Sequence, residues 1–181
     1  CQSKKVGYLD APVSGGEVGA KEGKLTVMCG GNKSDLEKVY EVIDCYSKFI
    51  KLMGPSGSGQ LTKMVNQIAI TGLIQSLSEA IYFSEKVGLD TQQVIDVISR
   101  GAAQSWQMQN RWKTMVEGKY DHGFAVDLMR KDLKIAIEQG NLIGASLELT
   151  QQIDKYYEEI QSLGGGRWDT SSLLARLKRN E

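Results

Sequence analysis

Lys63 is the residue whose type and position most clearly indicate a catalytic role. It lies four residues after the last glycine of a glycine-rich loop. Residues 54–67 read GPSGSGQLTKMVNQ. We expect these glycines to lead into a helix with Lys63 in its first turn, so that spacings of three and four residues place Asn66 and Gln67 on the same helix face. An amine near a helix N terminus that is also withdrawn from water can exchange a proton near neutral pH. The segment therefore predicts an acid/base lysine; the alternative is a solvated lysine at the start of a helix.

A second candidate is the heptapeptide DAPVSGG at residues 10–16. It follows a predicted strand, and Ser14 supplies a hydroxyl group beside Gly15 and Gly16, whose backbone N–H groups have no side chain to shield them. This combination favours a small concave site for an anion such as a carboxylate. A tight turn at the exit of a strand is the structural alternative.

The third candidate is the stretch FAVDLMRKDLKIA at residues 124–136. Its apolar residues recur at helical spacing and its charges cluster on the opposite side, as is typical of an amphipathic helix. On these grounds alone Lys131 belongs to a solvated face.

Two kinds of element must position these residues. Residues 6–10, 24–29 and 48–53 are predicted strands, the second ended by Gly30 and Gly31, and Ser34 is the predicted cap of a helix over residues 35–44. Beyond Gly59 only helices are predicted, over residues 60–87, 91–99, 106–117, 125–141, 147–163 and 171–178. The expected fold is therefore mainly α, with a short α/β remnant over residues 1–56 and an all-helical domain over residues 57–181.

Composition narrows the function classes. The 22 basic and 22 acidic side chains balance, so no basic excess favours nucleic acid. A single histidine, His122, excludes a metal site built from several histidines, and no metal is expected. The sequence contains no apolar run of the roughly 18–20 residues that a bilayer requires. The three cysteines fit no zinc or disulfide pattern, which predicts a reducing, cytoplasmic location.

The three motifs, in this order, resemble the β-hydroxyacid dehydrogenases, the family of 3-hydroxyisobutyrate dehydrogenase and tartronate-semialdehyde reductase. DAPVSGG matches the family's substrate-binding motif at all seven positions, and residues 54–67 match its pattern G-x-x-G-x-G-x-x-x-K-x-x-N-[NQ]. The stretch F-x-x-x-L-x-x-K-D-L-x-x-A, which begins at Phe124, also matches. The resemblance covers essentially the whole chain. It implies the end of a Rossmann-type domain followed by a helical domain like the C-terminal domain of 6-phosphogluconate dehydrogenase.

The resemblance implies a reaction and a set of site residues. The reaction is the reversible oxidation of a short β-hydroxyacid to its semialdehyde or keto acid, with NAD or NADP as cofactor. Lys63 is then the catalytic acid/base and Lys131 contacts the cofactor. The residues implied for substrate binding are Ser14, Gly15, Gly16, Asn66, Gln67 and Phe124.

Two further expectations concern assembly and extent. The predicted helix 60–87 carries apolar residues on more than one face, which predicts a homo-oligomer that buries part of it. The chain starts at Cys1 and contains no G-x-G-x-x-G fingerprint, so we expect the C-terminal portion of a longer protein that is inactive by itself. A non-catalytic helical dimerisation or interaction module derived from the same family is the competing hypothesis. The sequence does not determine which hydroxyacid is used, or whether NAD or NADP is preferred.

Overall fold

A computed structural model describes residues 1–179 and divides the chain into two compact units, Cys1–Asn66 and Gln67–Glu181. The first unit contains a four-stranded sheet, and the second is built from helices. The expected class, mainly α with a small α/β region, is confirmed.

The sheet of the first unit is organised around β3 (Leu25–Gly31). On one side β3 pairs in antiparallel fashion with β1 (Leu9–Asp10) and β2 (Val13–Ser14). These two short strands continue in the same register, and between them the amide of Met28 donates to the carbonyl of Pro12. Proline has no N–H to donate, so the edge strand is interrupted there but not redirected.

Two helices and a fourth strand complete the first unit. Helix α1 (Gly16–Lys21) follows β2, and α2 (Lys33–Asp44) connects β3 to β4 (Ser47–Gly54), which pairs with β3 in parallel. A parallel neighbour requires such a crossover connection. The small apolar core consists of buried residues from β3 and α2, with half-buried residues of β4 against them: Val27, Cys29, Leu36, Ile43, Ile50 and Leu52.

The longest element, α3 (Ser58–Lys86), begins in the first unit and continues into the second. The second unit adds α4 (Thr91–Ile98), α5 (Trp106–Val116), α6 (Val126–Ile143), α7 (Glu148–Ser162) and α8 (Leu173–Lys178). Two groups of buried side chains form its core. One contains Ile74, Val126, Met129, Leu133, Ile153, Tyr157, Ile160 and Leu173, and the other contains Leu77, Ile81, Ile95, Met108, Met115 and Leu174.

Several local predictions are wrong, for tertiary reasons. The first strand starts at Leu9 rather than at residue 6, because its partner Gly31 is the last residue of β3. Gly30 and Gly31 do not stop the strand at residue 29 but are its last two residues. The cap of α2 is Asn32 rather than Ser34, and residues 11–16, for which no strand or helix was predicted, contain β2 and the start of α1.

The last predicted helix is also shorter than expected: residues Thr170–Ser172 form a 3-10 turn, and α8 begins at Leu173. Among residues 1–179, none of the helices combines the length and apolar character needed to cross a bilayer.

Candidate functional site

Lys63 lies in the second turn of α3, because the helix begins at Ser58 and not at residue 60. The prediction that it occupies the first turn is therefore wrong, and the influence of the helix dipole is weaker there. Its Nζ donates to the backbone carbonyl of Val13 at 3.0 Å. The amine is thus fixed beside the residue that precedes Ser14, within the first unit.

The Ser14–Gly16 segment joins the end of β2 to the start of α1. Ser14 is half-buried, whereas Gly15 and Gly16 are exposed. Both glycines have left-handed backbone angles, with φ values of 133° and 63°. Residues with a side chain rarely adopt these angles, so the chain can turn here and still leave its backbone open to a ligand.

Asp10 is a residue to which the sequence analysis assigned no role. It is only 4% exposed, and its carboxylate accepts hydrogen bonds from the amides of Gly57 at 2.6 Å and Gln60 at 2.9 Å. Burial acts to raise the pKa of this carboxyl group, but the backbone N–H groups of Gly57, Gln60 and Gly59 outweigh it and hold the pKa below its ordinary value. The sequence did carry a signal, since aspartate is a preferred capping residue and Asp10 opens a motif that matches the family.

Two glycines enclose the Asp10 carboxylate. A Cβ atom built on Gly30 would lie 2.6 Å from Oδ1 of Asp10. A Cβ atom on Gly59 would collide with the Met28 carbonyl and lie 2.8 Å from Oδ2 of Asp10. Strands β1 and β3 and the start of α3 therefore approach one another too closely for any side chain at these two positions.

Asn66 and Gln67 follow Lys63 by three and four residues on α3. Asn66 is half-buried. Gln67 is 3% exposed, and its Nε2 donates to Oδ2 of Asp132 at 2.6 Å. This contact ties α3 to α6 within the second unit, so Gln67 has a structural role in addition to any role toward a substrate.

Phe124 immediately precedes α6, and its ring packs partly buried against the first core group of the second unit. Its amide donates to Oδ2 of Asp169 at 2.8 Å, and its carbonyl accepts from the amide of Thr170 at 2.9 Å. Asp169 is 1% exposed, accepts also from the Ser171 amide, and forms an ion pair with Arg111 at 3.4 Å. A buried carboxylate thus fixes the backbone that carries Phe124.

Lys131 projects from α6, and its side chain is 62% exposed. Its Nζ lies 2.9 Å from Oδ1 of Asp132, the residue that also accepts from Gln67. Together with Lys134 it lines an open groove of about 490 Å³ on the second unit. His122 contacts the carbonyl of Lys119 through Nε2 at 3.1 Å and lies outside these contacts.

Comparison with known proteins places these motifs in a family. Residues 57–177 match the family described as NAD-binding of NADP-dependent 3-hydroxyisobutyrate dehydrogenase. Residues 1–54 match the NAD binding domain of 6-phosphogluconate dehydrogenase. Both descriptions name a nicotinamide dinucleotide, so the cofactor of the family is NAD or NADP.

Individual relatives agree with this. An uncharacterised oxidoreductase of Shewanella frigidimarina is 54% identical, over 97% of this chain and 60% of that protein. The 2-hydroxy-3-oxopropionate reductase of Escherichia coli is 34% identical, over 94% of this chain and 59% of that protein. The crystal structure of 3-hydroxyisobutyrate dehydrogenase from Salmonella typhimurium superposes with a TM-score of 0.85 at 27% identity, covering 96% of this chain and 61% of that one. The chain thus spans about 60% of the length of these relatives. It belongs to the β-hydroxyacid dehydrogenase family.

Proposed function

We propose that this chain takes part in the reversible oxidation of a short β-hydroxyacid to its semialdehyde or keto acid, with Lys63 as general acid/base. The observation that carries the proposal is the hydrogen bond from Lys63 to the Val13 carbonyl, which holds the amine beside the Ser14–Gly16 segment. Membership of the β-hydroxyacid dehydrogenase family and the names of the relatives support the choice of substrate class.

The motif residues would each have a separate role toward the substrate. The Ser14 hydroxyl and the amides of Gly15 and Gly16 would bind the substrate carboxylate. Lys63 would remove the proton of the hydroxyl group during oxidation and return a proton to the carbonyl oxygen during reduction. Asn66, one turn further along α3, would help to orient the substrate, and Gln67 and Phe124 would border it.

The contact with Val13 suits an amine that must change its protonation state. A backbone carbonyl accepts a hydrogen bond from a neutral amine and from an ammonium group alike. The position of Nζ is therefore maintained while the proton is transferred in either direction, and the reacting atoms stay aligned.

The cofactor would accept a hydride from the substrate during oxidation and donate one during reduction. Among the residues of this chain, Lys131 suits it, because an exposed ammonium group on α6 can bind the phosphate or ribose oxygens of a dinucleotide. We assign Lys131 to cofactor binding on this chemistry and on its match to the family pattern.

Replacement of Lys63 tests the catalytic assignment. In the intact protein, Lys63→Ala should lower kcat by about 10²–10⁴, the usual contribution of a positioned acid/base group, and leave cofactor affinity nearly unchanged. Lys63→Arg should be similarly impaired, because arginine keeps the charge but does not release a proton at neutral pH. Lys51→Ala, on the exposed face of β4, is the matched control.

Two results would refute the assignment. Wild-type turnover by both Lys63 variants on short β-hydroxyacids would place the acid/base elsewhere. If the wild-type protein oxidises none of these acids with NAD or NADP, a non-catalytic interaction module becomes the better interpretation.

Lys131→Ala provides the complementary test. It should weaken cofactor binding by about 1–2 kcal/mol, the scale of a charged hydrogen bond, with a smaller effect on kcat. Fluorescence titration with the reduced cofactor measures this, and Lys155→Ala, at an exposed position of α7 outside the groove, is the control. Equal affinities for the two variants would contradict the assignment.

We also propose a homo-oligomer formed through α3, but through a different set of its residues than the apolar pattern suggested. Three apolar residues of the predicted helix 60–87, Ile74, Leu77 and Ile81, are buried in the core of the second unit and so do not face a partner. The exposed residues recur at helical spacing on another face: Ala69, Leu73, Ser76, Ala80 and Phe83. Small residues at this spacing allow a helix of a second copy to approach closely. Light scattering should show an oligomer that Ser76→Arg, but not Gln92→Arg on α4, converts to a monomer.

The remaining proposals concern organisation and location. We place the boundary between the two regions after residue 56, and the ranges matched by the two family descriptions, 1–54 and 57–177, support this. We further propose a cytoplasmic location, where the free cysteines Cys1, Cys29 and Cys45 would stay reduced.

A further inference from the structure

We propose that Asp10 is a positioning residue, which sets the location of Lys63 by fixing the N-terminal end of α3 to the strand that carries the substrate segment. This inference rests on the proposed function, in which Lys63 is the acid/base. Asp10 does not touch the reacting atoms in this scheme. It acts through the helix on which Lys63 stands.

The Asp10 carboxylate caps the N-terminal end of α3 from a distant segment of the chain. The two carboxylate oxygens of Asp10 accept separate backbone amides, Oδ1 from Gly57 and Oδ2 from Gln60. Gly57 immediately precedes α3 and Gln60 lies in its first turn, where no helical carbonyl is available to accept from these amides. The cap is distant in sequence, since Asp10 lies 47 residues before Gly57. Asp10 therefore joins two separate segments, unlike a cap supplied by the residue next to the helix.

The Asp10 carboxylate is closely enclosed by its neighbours. It is 4% exposed, and Gly30 and Gly59 approach it so closely that neither could carry a Cβ atom in this arrangement. A cap held this tightly fixes the start of α3 in both position and rotation about the helix axis. Rotation matters because Lys63 is only three residues beyond Gln60.

The same edge of the sheet contacts α3 a second time, at Lys63. Asp10 ends β1, and Val13, whose carbonyl accepts from Lys63, begins β2 in the same antiparallel register along β3. One contact holds the helix start and the other holds the amine. Loss of the first should therefore weaken the second and misplace Nζ relative to the Ser14–Gly16 segment.

Asp10→Asn tests this in the intact protein. The variant is nearly isosteric, but its amide nitrogen cannot accept the N–H group that one carboxylate oxygen accepts in the wild type. We expect kcat to fall by about ten- to a hundredfold, the effect of a misplacement of roughly 1 Å, and KM to change less. Asp10→Ser is a second variant in case Asp10→Asn fails to fold, because serine is smaller and keeps a capping hydroxyl. Its kcat should also fall. Asp35→Asn, a carboxylate near the start of α2, is the control with unchanged kcat.

A second measurement reports on position without any turnover. The rate at which Lys63 reacts with acetic anhydride is measured by mass spectrometry relative to Lys51 in the same molecule. Loss of the contact with Val13 should raise this ratio in both Asp10 variants by about two- to tenfold, the factor that corresponds to one typical hydrogen bond. Hydrogen exchange of the amides of Gly57 and Gln60 should accelerate as well.

The outcomes separate this inference from the proposed function. If Lys63→Ala is inactive but both Asp10 variants keep wild-type kcat, labelling ratio and exchange rates, the positioning role is refuted and the proposed function stands. If no hydroxyacid is oxidised, the proposed function fails, and the labelling ratio alone decides the inference. A loss of thermal stability in the Asp10 variants with an unchanged labelling ratio would reduce Asp10 to a structural residue and overturn the proposal.

Discussion

The two units hold their motif residues in different ways. In the first unit the contacts are made to backbone atoms: Lys63 donates to a carbonyl, and Asp10 accepts from amides. In the second unit a buried side chain pairs with a half-buried one, as Gln67 does with Asp132 and Asp169 does with Arg111, and Asp169 also accepts from backbone amides. A site made from backbone requires glycines where segments approach closely, whereas a site made from side chains requires particular polar residues. The surroundings of Asp10 should therefore be sensitive to Cβ atoms added at Gly30 and Gly59, and the second unit to the loss of the polar contacts of Gln67 and Asp169.

The largest effect is expected at Asp169. Asp169→Ala leaves the amides of Phe124 and Ser171 without their acceptor and Arg111 without its ion pair. Since the carboxylate is 1% exposed, we expect the free energy of unfolding of the intact protein to fall by about 3–4 kcal/mol. Urea denaturation measures this, with Asp121→Ala, an exposed position between α5 and α6, as control. A loss no greater than that of the control would show that the second unit does not depend on this buried polar group.

The next effect is a pH dependence that is specific to the second unit. Burial, together with the charge of Glu85, raises the pKa of Tyr120 to about 12 from 10.0. The folded state thus favours the neutral phenol, so its contribution to stability is complete below pH 10 and is lost as the pH rises toward 12. We expect a loss on the order of 2 kcal/mol across this window. Burial raises the pKa of Tyr157 in the same direction.

Urea denaturation between pH 9 and pH 12 measures this alkaline loss. Tyr120→Phe should reduce it, although a hydrogen bond from the Tyr120 hydroxyl to the Met115 carbonyl is lost at every pH. Tyr8→Phe, at an exposed position of the first unit, is the control that keeps the wild-type slope. Identical slopes for all three proteins would mean that Tyr120 is not buried as described. The contribution of the Asp10 carboxyl group to stability depends on pH in the opposite direction. Because its pKa is lowered in the folded state, the stability that it provides is lost as the pH falls below 3.8.

In the first unit the corresponding test is the addition of a Cβ atom at Gly59. In Gly59→Ala the new Cβ would meet the Met28 carbonyl and Asp10, and backbone cannot move aside as the end of a side chain can. We expect a loss of about 1–2 kcal/mol in unfolding free energy, together with lower turnover. Gln60→Ala, which changes an exposed side chain and keeps the capping amide, is the control. If Gly59→Ala keeps full stability and turnover, neither property requires the close approach of α3 to β3.

The sequence predicted elements and motif residues better than it predicted their contacts. The long helix, the strands over β3 and β4 and the candidate Lys63 were available from periodicity and spacing. Strand β2 was not, because it exists only through its register with β3, and α1 was missed because a six-residue segment with two glycines has little helical preference of its own. The partners of Asp10 and Gln67 lie 47 and 65 residues away, and no local pattern specifies them. Local preference is visible in a sequence, whereas the contacts that align a site depend on tertiary packing.

The smallest effect sharpens the comparison along α3 itself. Gly72 lies within the same helix as Gly59, but a Cβ atom there would make an ordinary contact, 3.8 Å from Cδ2 of Leu149. Glycine inside a helix is unfavourable relative to alanine because it loses more backbone entropy on folding. Gly72→Ala should therefore raise the unfolding free energy by about 0.5–1 kcal/mol.

Gly140→Ala in α6 is the matched control for Gly72→Ala. It has the same residue type and helical environment, but its Cβ would lie 2.9 Å from Cδ1 of Leu147 and 3.1 Å from the Ala145 carbonyl. We expect it to be destabilising, so that opposite signs at Gly72 and Gly140 would show that space, not helical preference, decides the outcome. A loss at Gly72 that appears only at protein concentrations where the oligomer forms would instead indicate that a second copy packs closely against this face of α3.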